Sequence, residues 1–289
     1  MTEETIILVG TPDTGKTNFL GRLWGALRKA KGRLICPVPP DHIKYVEDAL
    51  GHLLTGEFAP RSNKNISESR SDVRIGVRLK EDPQSEISQV LIPDVTGELW
   101  KRAVETFEIP EEWLRDLEQA SGAMLFLRVN SEEIVQPIDW ITARGILRNV
   151  DIEIPKNEVG IPTQVQLSEL LRFLEISLAH RKDGKPPRIA VVVTAFDLLD
   201  AETQARGPSD YLSRQYPIFA GKIENCERLQ IKVFGASAVS GDLGLDAEFK
   251  QKFLAGDLAE FGYTVEERDG ATHVVKDVSI PLAWLVKGN

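Results

Sequence analysis

The residues with the clearest chemistry are Gly10-Thr11-Pro12-Asp13-Thr14-Gly15-Lys16-Thr17, which fill the pattern G-x-x-x-x-G-K-[ST] directly after an apolar run. The glycines let successive backbone N–H groups turn inward around a phosphate, and a helix beginning there adds partial positive charge. Pro12, Asp13, Thr14, Gly15 and Asn18 are therefore expected to border a nucleotide. Lys16 would bridge its β- and γ-phosphates, and the Thr17 hydroxyl would hold Mg²⁺. A random chain of this size would contain the pattern on the order of once in a hundred. A second segment, Ile92-Pro93-Asp94-Val95-Thr96-Gly97-Glu98, offers a carboxylate at Asp94 for a water in the Mg²⁺ shell. Gly97 can turn its N–H toward a γ-phosphate, which would couple the following loop to the triphosphate state.

These groups need a sheet to hold them. Short apolar runs alternate with segments of helical period, the pattern of a mostly parallel sheet flanked by helices. Strands are expected over 5–9, 73–79, 87–92, 123–129, 188–194 and 231–235, the second and third forming an antiparallel pair at one edge around Asp82-Pro83. Phe19, Leu20, Leu23 and Leu27 form a helical stripe behind the phosphate loop. Ile43, Val46, Leu50, Leu53 and Leu54 form another, with Asp41 as its expected N-cap. A third, Leu167 to Leu178, follows Thr163 and Gln166, which have capping-box spacing. The implied fold is a three-layer α/β/α P-loop nucleoside triphosphatase. Its nucleotide-binding domain spans 1–240 with an irregular insertion around 131–162. A C-terminal extension over 241–289 contains a helix, a hairpin turning at Asp269-Gly270 and a short final helix, packed on the same domain.

The phosphate loop, Asp94 to Gly97 as D-x-x-G, Thr194-Ala195-Phe196-Asp197 as a degenerate base-recognition motif, and Ser237-Ala238 after the last core strand occur in a telling order. It resembles the order in Ras-like, translation-factor-class GTPases over roughly residues 5 to 240, and in detail bacterial GTPases of this class from conflict or defence systems. The resemblance implies GTP/GDP and Mg²⁺ as ligands, and Asp197 as acceptor for the N1–H and exocyclic amine of guanine. Ala195 departs from the family's Lys, whose stem covers one face of the base. Glu98 stands where Ras-like proteins place a water-orienting glutamine, so Lys16, Gly97 and Glu98 are the candidate catalytic groups. Slow hydrolysis and a protein effector or activator are also implied. Switch I would supply a metal-binding hydroxyl from 56–71: Ser62 is the first choice, with Thr55, Ser67 and Ser69 as alternatives, and Arg61 and Arg70 nearby. Pro12-Asp13 also resembles loops of potassium-stimulated GTPases. A nucleotide-binding scaffold with little hydrolysis, encouraged by Glu98 and Ala195, and a P-loop ATPase or kinase are the competing readings.

Composition narrows the rest. The net charge of -9, from 35 Lys plus Arg against 44 Asp plus Glu, argues against a nucleic-acid surface. Two distant cysteines, Cys36 and Cys226, suit a reducing cytoplasmic setting and neither a disulfide framework nor a C-x-x-C metal site. The N-terminus reads as a strand and not a signal peptide, and no run reaches the roughly 20 apolar residues of a membrane span. The four histidines lack metal spacing. Trp100, Trp113 and Trp140 suit packing or a partner surface.

Overall fold

The computed structural model describes residues 5–38, 40, 43–60, 73–92, 97–137 and 160–286. Asp41, Arg61, Ser62, Ser67, Ser69, Arg70, Asp94 and Trp140 lie outside the described residues. The elements in chain order are β1 (Thr5–Val9), α1 (Lys16–Arg28), β2 (Leu34–Ile35), α2 (Lys44–Leu54), β3 (Val73–Leu79), β4 (Ser88–Ile92), α3 (Gly97–Thr106) and α4 (Glu111–Gln119). There follow β5 (Ala120–Arg128), α5 (Thr163–Ser177), β6 (Arg188–Thr194), α6 (Ala201–Arg206), α7 (Pro208–Gln215), α8 (Pro217–Glu224) and β7 (Gln230–Ser237). The chain continues through α9 (Ala247–Ala255), β8 (Tyr263–Arg268), β9 (Ala271–Val275) and α10 (Ile280–Val286).

Nine strands form one sheet in the order β2-β3-β4-β1-β5-β6-β7-β8-β9. The five from β4 to β7 are mutually parallel. Antiparallel strands extend both edges: β3 and β2 beside β4, and β8 and β9 beside β7. The antiparallel pair expected at one edge is present, and the hairpin at Asp269-Gly270 adds a second such border to the same sheet.

Side chains alternate between faces along each central strand, and every face is covered. Ile6 and Leu8 of β1, with Met124 and Phe126 of β5, join one buried cluster with the α1 stripe Phe19, Leu20, Leu23 and Leu27. Ile7 and Val9, with Ala123, Leu125 and Leu127, join a second cluster with Leu167, Leu170 and Leu174 of α5. Trp100 and Trp113 belong to this packing: both are buried, with ring centroids 5.5 Å apart.

Two local expectations need correction. No capping box starts α5: Pro162 is its N-cap residue and Thr163 is already helical. Thr163 is used across the chain instead, its N–H donating to Val135 O and its hydroxyl accepting from Val135 N–H, while the Gln166 amide donates to Ile161 O. Likewise α2 starts at Lys44 after Ile43, which makes no side-chain cap bond.

The C-terminal segment is tied to the body by polar contacts as well as by strand pairing. Buried Arg22 of α1 donates from Nε and Nη2 to Phe261 O at 3.2 and 2.7 Å. Arg188 at the start of β6 donates to Trp284 O at 3.1 Å and lies over that indole ring. Asp277 accepts from the N–H groups of Arg33 and Ser279 at 2.8 Å.

Candidate nucleotide-binding site

The sequence requires a tight strand-to-helix turn after β1, and two glycines explain how it closes. Gly15 precedes α1 at φ +78°, and a Cβ there would lie 2.7 Å from Thr194 Oγ1. The left-handed backbone and the close neighbour both select glycine. A Cβ on Gly97 would lie 2.4 Å from Pro12 N and 2.6 Å from Thr11 C, so the first residue of α3 is packed against the loop's own backbone. Gly97 therefore joins the 97–106 helix to the phosphate loop through a contact that no side chain permits.

Lys16 curls over this loop, donating from Nζ to Gly10 O at 2.5 Å, Thr11 O at 2.9 Å and Thr14 Oγ1 at 3.1 Å. Burial pulls its pKa down from 10.5 to about 7, opposed by the carboxylates of Glu98 and Asp13. The ammonium is thus held by neutral oxygens, and a polyphosphate would supply the counter-charge that burial withholds. Thr17 Oγ1 lies 2.6 Å from Tyr45 Oη of α2. The Asn18 carboxamide oxygen accepts from Ala59 N–H at 2.8 Å. The first turn of α1 thereby fastens both α2 and the segment after it.

Asp13 shapes the loop from the other side. It has φ +56°, and its two oxygens accept from Arg128 Nη1 and Ser131 Oγ, both at 2.7 Å. The carboxylate anchors the loop to the end of β5. A nucleotide would meet Asp13 through its main chain.

The far end of the cleft is assembled from β6 and β7. Thr194, last in β6, donates its hydroxyl to Thr14 O at 2.8 Å, strapping this end to the phosphate loop. Ala195 turns the chain at φ +53°, and Asp197 follows in a single 3₁₀ turn. Burial raises the Asp197 pKa, opposed by a hydrogen bond from Ser237; Asp242 raises it further and Arg128 lowers it. Ser237 Oγ also accepts from Ser240 N–H at 2.7 Å, closing the turn after β7. Ala238 borders the cleft, and its carbonyl is met from behind by Gly262, where φ is +78° and a Cβ would lie 2.5 Å from that oxygen.

A cleft of about 250 Å³ brings the predicted residues together: Pro12, Asp13, Thr14, Gly15, Lys16, Thr17, Asn18, Gly97, Glu98, Asp197, Ser237 and Ala238 all line it. Asp94 and Ser62 fall outside the described residues. The lining residues that had not been singled out include Tyr45, Phe58, Arg128 and Asp242. Arg128 carried a usable signal, a lone cation ending an apolar strand at its C-terminal end, where open α/β sheets bind ligands. The donor chemistry at Thr17 suits Mg²⁺, which takes hard oxygen ligands and retains waters and substrate phosphates.

Strand order and phosphate loop together define a P-loop nucleotide-binding protein. The sequence matches the Double-GTPase 1 family over residues 7–285, and the chain belongs to that family. The family relation supports guanine nucleotide binding. No curated protein matches the sequence. Among solved structures, a bacterial selenocysteine-specific elongation factor, EF-Sec, is 16% identical with a TM-score of 0.36; 88% of this chain is covered, and the chain spans 29% of that protein. The Arl6 BBS3 small GTPase from Trypanosoma brucei with bound GppNp is 6% identical with a TM-score of 0.37, covering 88% of this chain and 98% of that one. The signal recognition particle receptor SRb-GTP/SRX complex from Chaetomium thermophilum is 14% identical with a TM-score of 0.38 and the same coverages. At such TM-scores these likenesses carry no functional weight. No helix among the described residues is long and apolar enough to cross a membrane.

Proposed function

We propose that this chain is a Mg²⁺-dependent GTP-binding switch with slow hydrolysis, acting on a protein partner in a reducing, cytoplasmic setting. The observation carrying this reading is Asp197: a desolvated carboxylate in the same cleft as Lys16, tied to the phosphate loop through the Thr194 hydroxyl. A guanine would bring two N–H donors to that carboxylate, whereas adenine brings none in the matching arrangement. Thr17, with Asp94 and a switch I hydroxyl such as Ser62, would hold the metal, which supplies neutralisation of β- and γ-phosphate charge. Lys16 would bind the same oxygens, and the Gly97 N–H would report the γ-phosphate to α3. Residues 55–70 and 95–110 are the segments whose order this would alter.

The assignment is tested by calorimetry with GTP, GDP and ATP in the presence of Mg²⁺. Guanine nucleotides should bind more tightly, and a preference for ATP would reject the reading. Asp197→Asn should lower GTP affinity by about 10- to 100-fold, the worth of one or two hydrogen bonds to a charged group, and move preference toward xanthine nucleotides. The competing scaffold reading draws on Glu98, a carboxylate close enough to Lys16 to affect its proton affinity. Single-turnover hydrolysis with and without cell extract separates the two, and absence of product in both would favour the scaffold.

A further inference from the structure

The cleft has two cationic side chains among its described lining residues, Lys16 and Arg128, and the phosphate chemistry above uses only the first. Arg128 is the last residue of β5, in register with Thr194 at the end of β6, so it stands beside the point where the chain turns into Ala195 and Asp197. Its Nη1 donates to Asp13 at 2.7 Å, and its side chain is about one-third exposed. Hydrogen bonds leave a guanidinium in its own plane, so this bond holds the group by an edge and leaves its faces available. Arg128 also lines a second, smaller hollow with Ser131 and Tyr216, so it borders both that hollow and the nucleotide cleft. Across the strand pair, Ala195 offers only a methyl group.

We propose that Arg128 is a nucleoside-binding residue that presents a flat cationic face to the base and ribose, a task that the short Ala195 side chain cannot perform. Asp13 is its positioning residue, turning an otherwise flexible side chain into a fixed plate between the phosphate loop and the Asp197 end. A guanidinium is weakly hydrated and stacks on π-systems, so the contact requires no base-specific hydrogen bond. Selectivity remains with Asp197, while Arg128 adds affinity for the nucleoside.

This inference rests on the guanine-nucleotide reading, and the experiment separates the two. Calorimetry on the full chain with Mg²⁺ compares GDP with inorganic tripolyphosphate, which lacks base and sugar. Arg128→Ala should weaken GDP binding by about tenfold, as expected for a partly desolvated cation–π contact, while tripolyphosphate binding changes by less than about twofold. Retained tripolyphosphate binding also demonstrates a folded variant. Adding Ala195→Lys to Arg128→Ala should recover part of the GDP affinity without altering tripolyphosphate. Unchanged GDP affinity in Arg128→Ala, or equal losses for both ligands, would overturn the proposal; equal losses would mean that Arg128 only props the phosphate loop through Asp13. Failure of the unaltered chain to bind GDP would sink the guanine-nucleotide reading and this inference with it, before any variant is made.

Discussion

The two ends of the cleft are built by opposite means. The phosphate end is one uninterrupted segment, residues 10–18, in which the loop's own carbonyls hold Lys16 and a single backbone contact brings in Gly97. The far end is assembled from Arg128 of β5, 194–198 after β6 and 237–242 after β7, with Gly262 from beyond the last parallel strand behind it. A contiguous loop carries its geometry in local backbone preferences, so it survives changes elsewhere. An assembled end depends on how distant strands are aligned and on what backs the turns between them. The strap from Thr194 to Thr14 is the one described side-chain hydrogen bond that joins 194–198 directly to the phosphate loop.

The largest expected effect tests the phosphate end. Lys16→Ala should reduce the affinity for GDP and for tripolyphosphate alike by at least about 100-fold, roughly 3 kcal/mol or more, because a buried charge-assisted contact to phosphate is lost. Retained uptake of either ligand would break the comparison at its stronger side. The depressed pKa of Lys16 adds a pH signature. A polyphosphate favours the ammonium form, so affinity should be full below pH 7 and decline as pH rises through 7, by up to about tenfold per unit. In the unliganded chain the unfolded state holds this proton up to the ordinary 10.5 and the folded state only to about 7, so Lys16 makes stability rise with pH across that window. Calorimetry and chemical denaturation at pH 6, 7, 8 and 9 would check both slopes.

A smaller effect tests the far end. Gly262→Ala forces a side chain into a left-handed conformation and against the Ala238 carbonyl, which should cost about 2 kcal/mol of stability. At a temperature where the variant remains folded, GDP affinity should fall while tripolyphosphate affinity holds. A parallel loss of both would show that the two ends are not separately built.

That contrast also explains what could be read from sequence. The phosphate loop is a local pattern with fixed spacing, and the strands are short apolar or alternating runs, so parallel Thr5–Val9 and Arg188–Thr194 and antiparallel Val73–Leu79 have the bounds expected of them. Helices α3 and α4 had no such signal: their apolar sides rest on Trp100, Ala103 and Val104, and on Trp113 and Leu117, too sparse a stripe to mark an element before the sheet is known. Thr163 had the residue type and spacing of a cap, and tertiary contact with Val135 claimed it instead. Asp197 and Ser237 were legible only through their order after the phosphate loop. Arg128 had only its place as a cation at the end of an apolar strand to mark it, and Tyr45 had nothing, because it reaches the cleft only once α2 is in place.

Tyr45 supplies the smallest and most discriminating prediction. Its hydroxyl shares a short hydrogen bond with Thr17 Oγ1, the atom whose lone pair a nucleotide-borne Mg²⁺ would require. If that bond must be surrendered on binding, Tyr45→Phe removes a cost worth about 0.5–1.5 kcal/mol, the net value of an ordinary hydrogen bond. The variant should then bind GDP with Mg²⁺ about two- to tenfold more tightly, and GDP with EDTA no differently from the unaltered chain. Gain in both conditions would mean that Tyr45 acts by obstructing the cleft and not through Thr17. Weaker binding with Mg²⁺ would mean that Thr17 keeps the tyrosine as a hydrogen-bond donor alongside the metal, which would make α2 part of the phosphate end and leave that end less local than its sequence suggests.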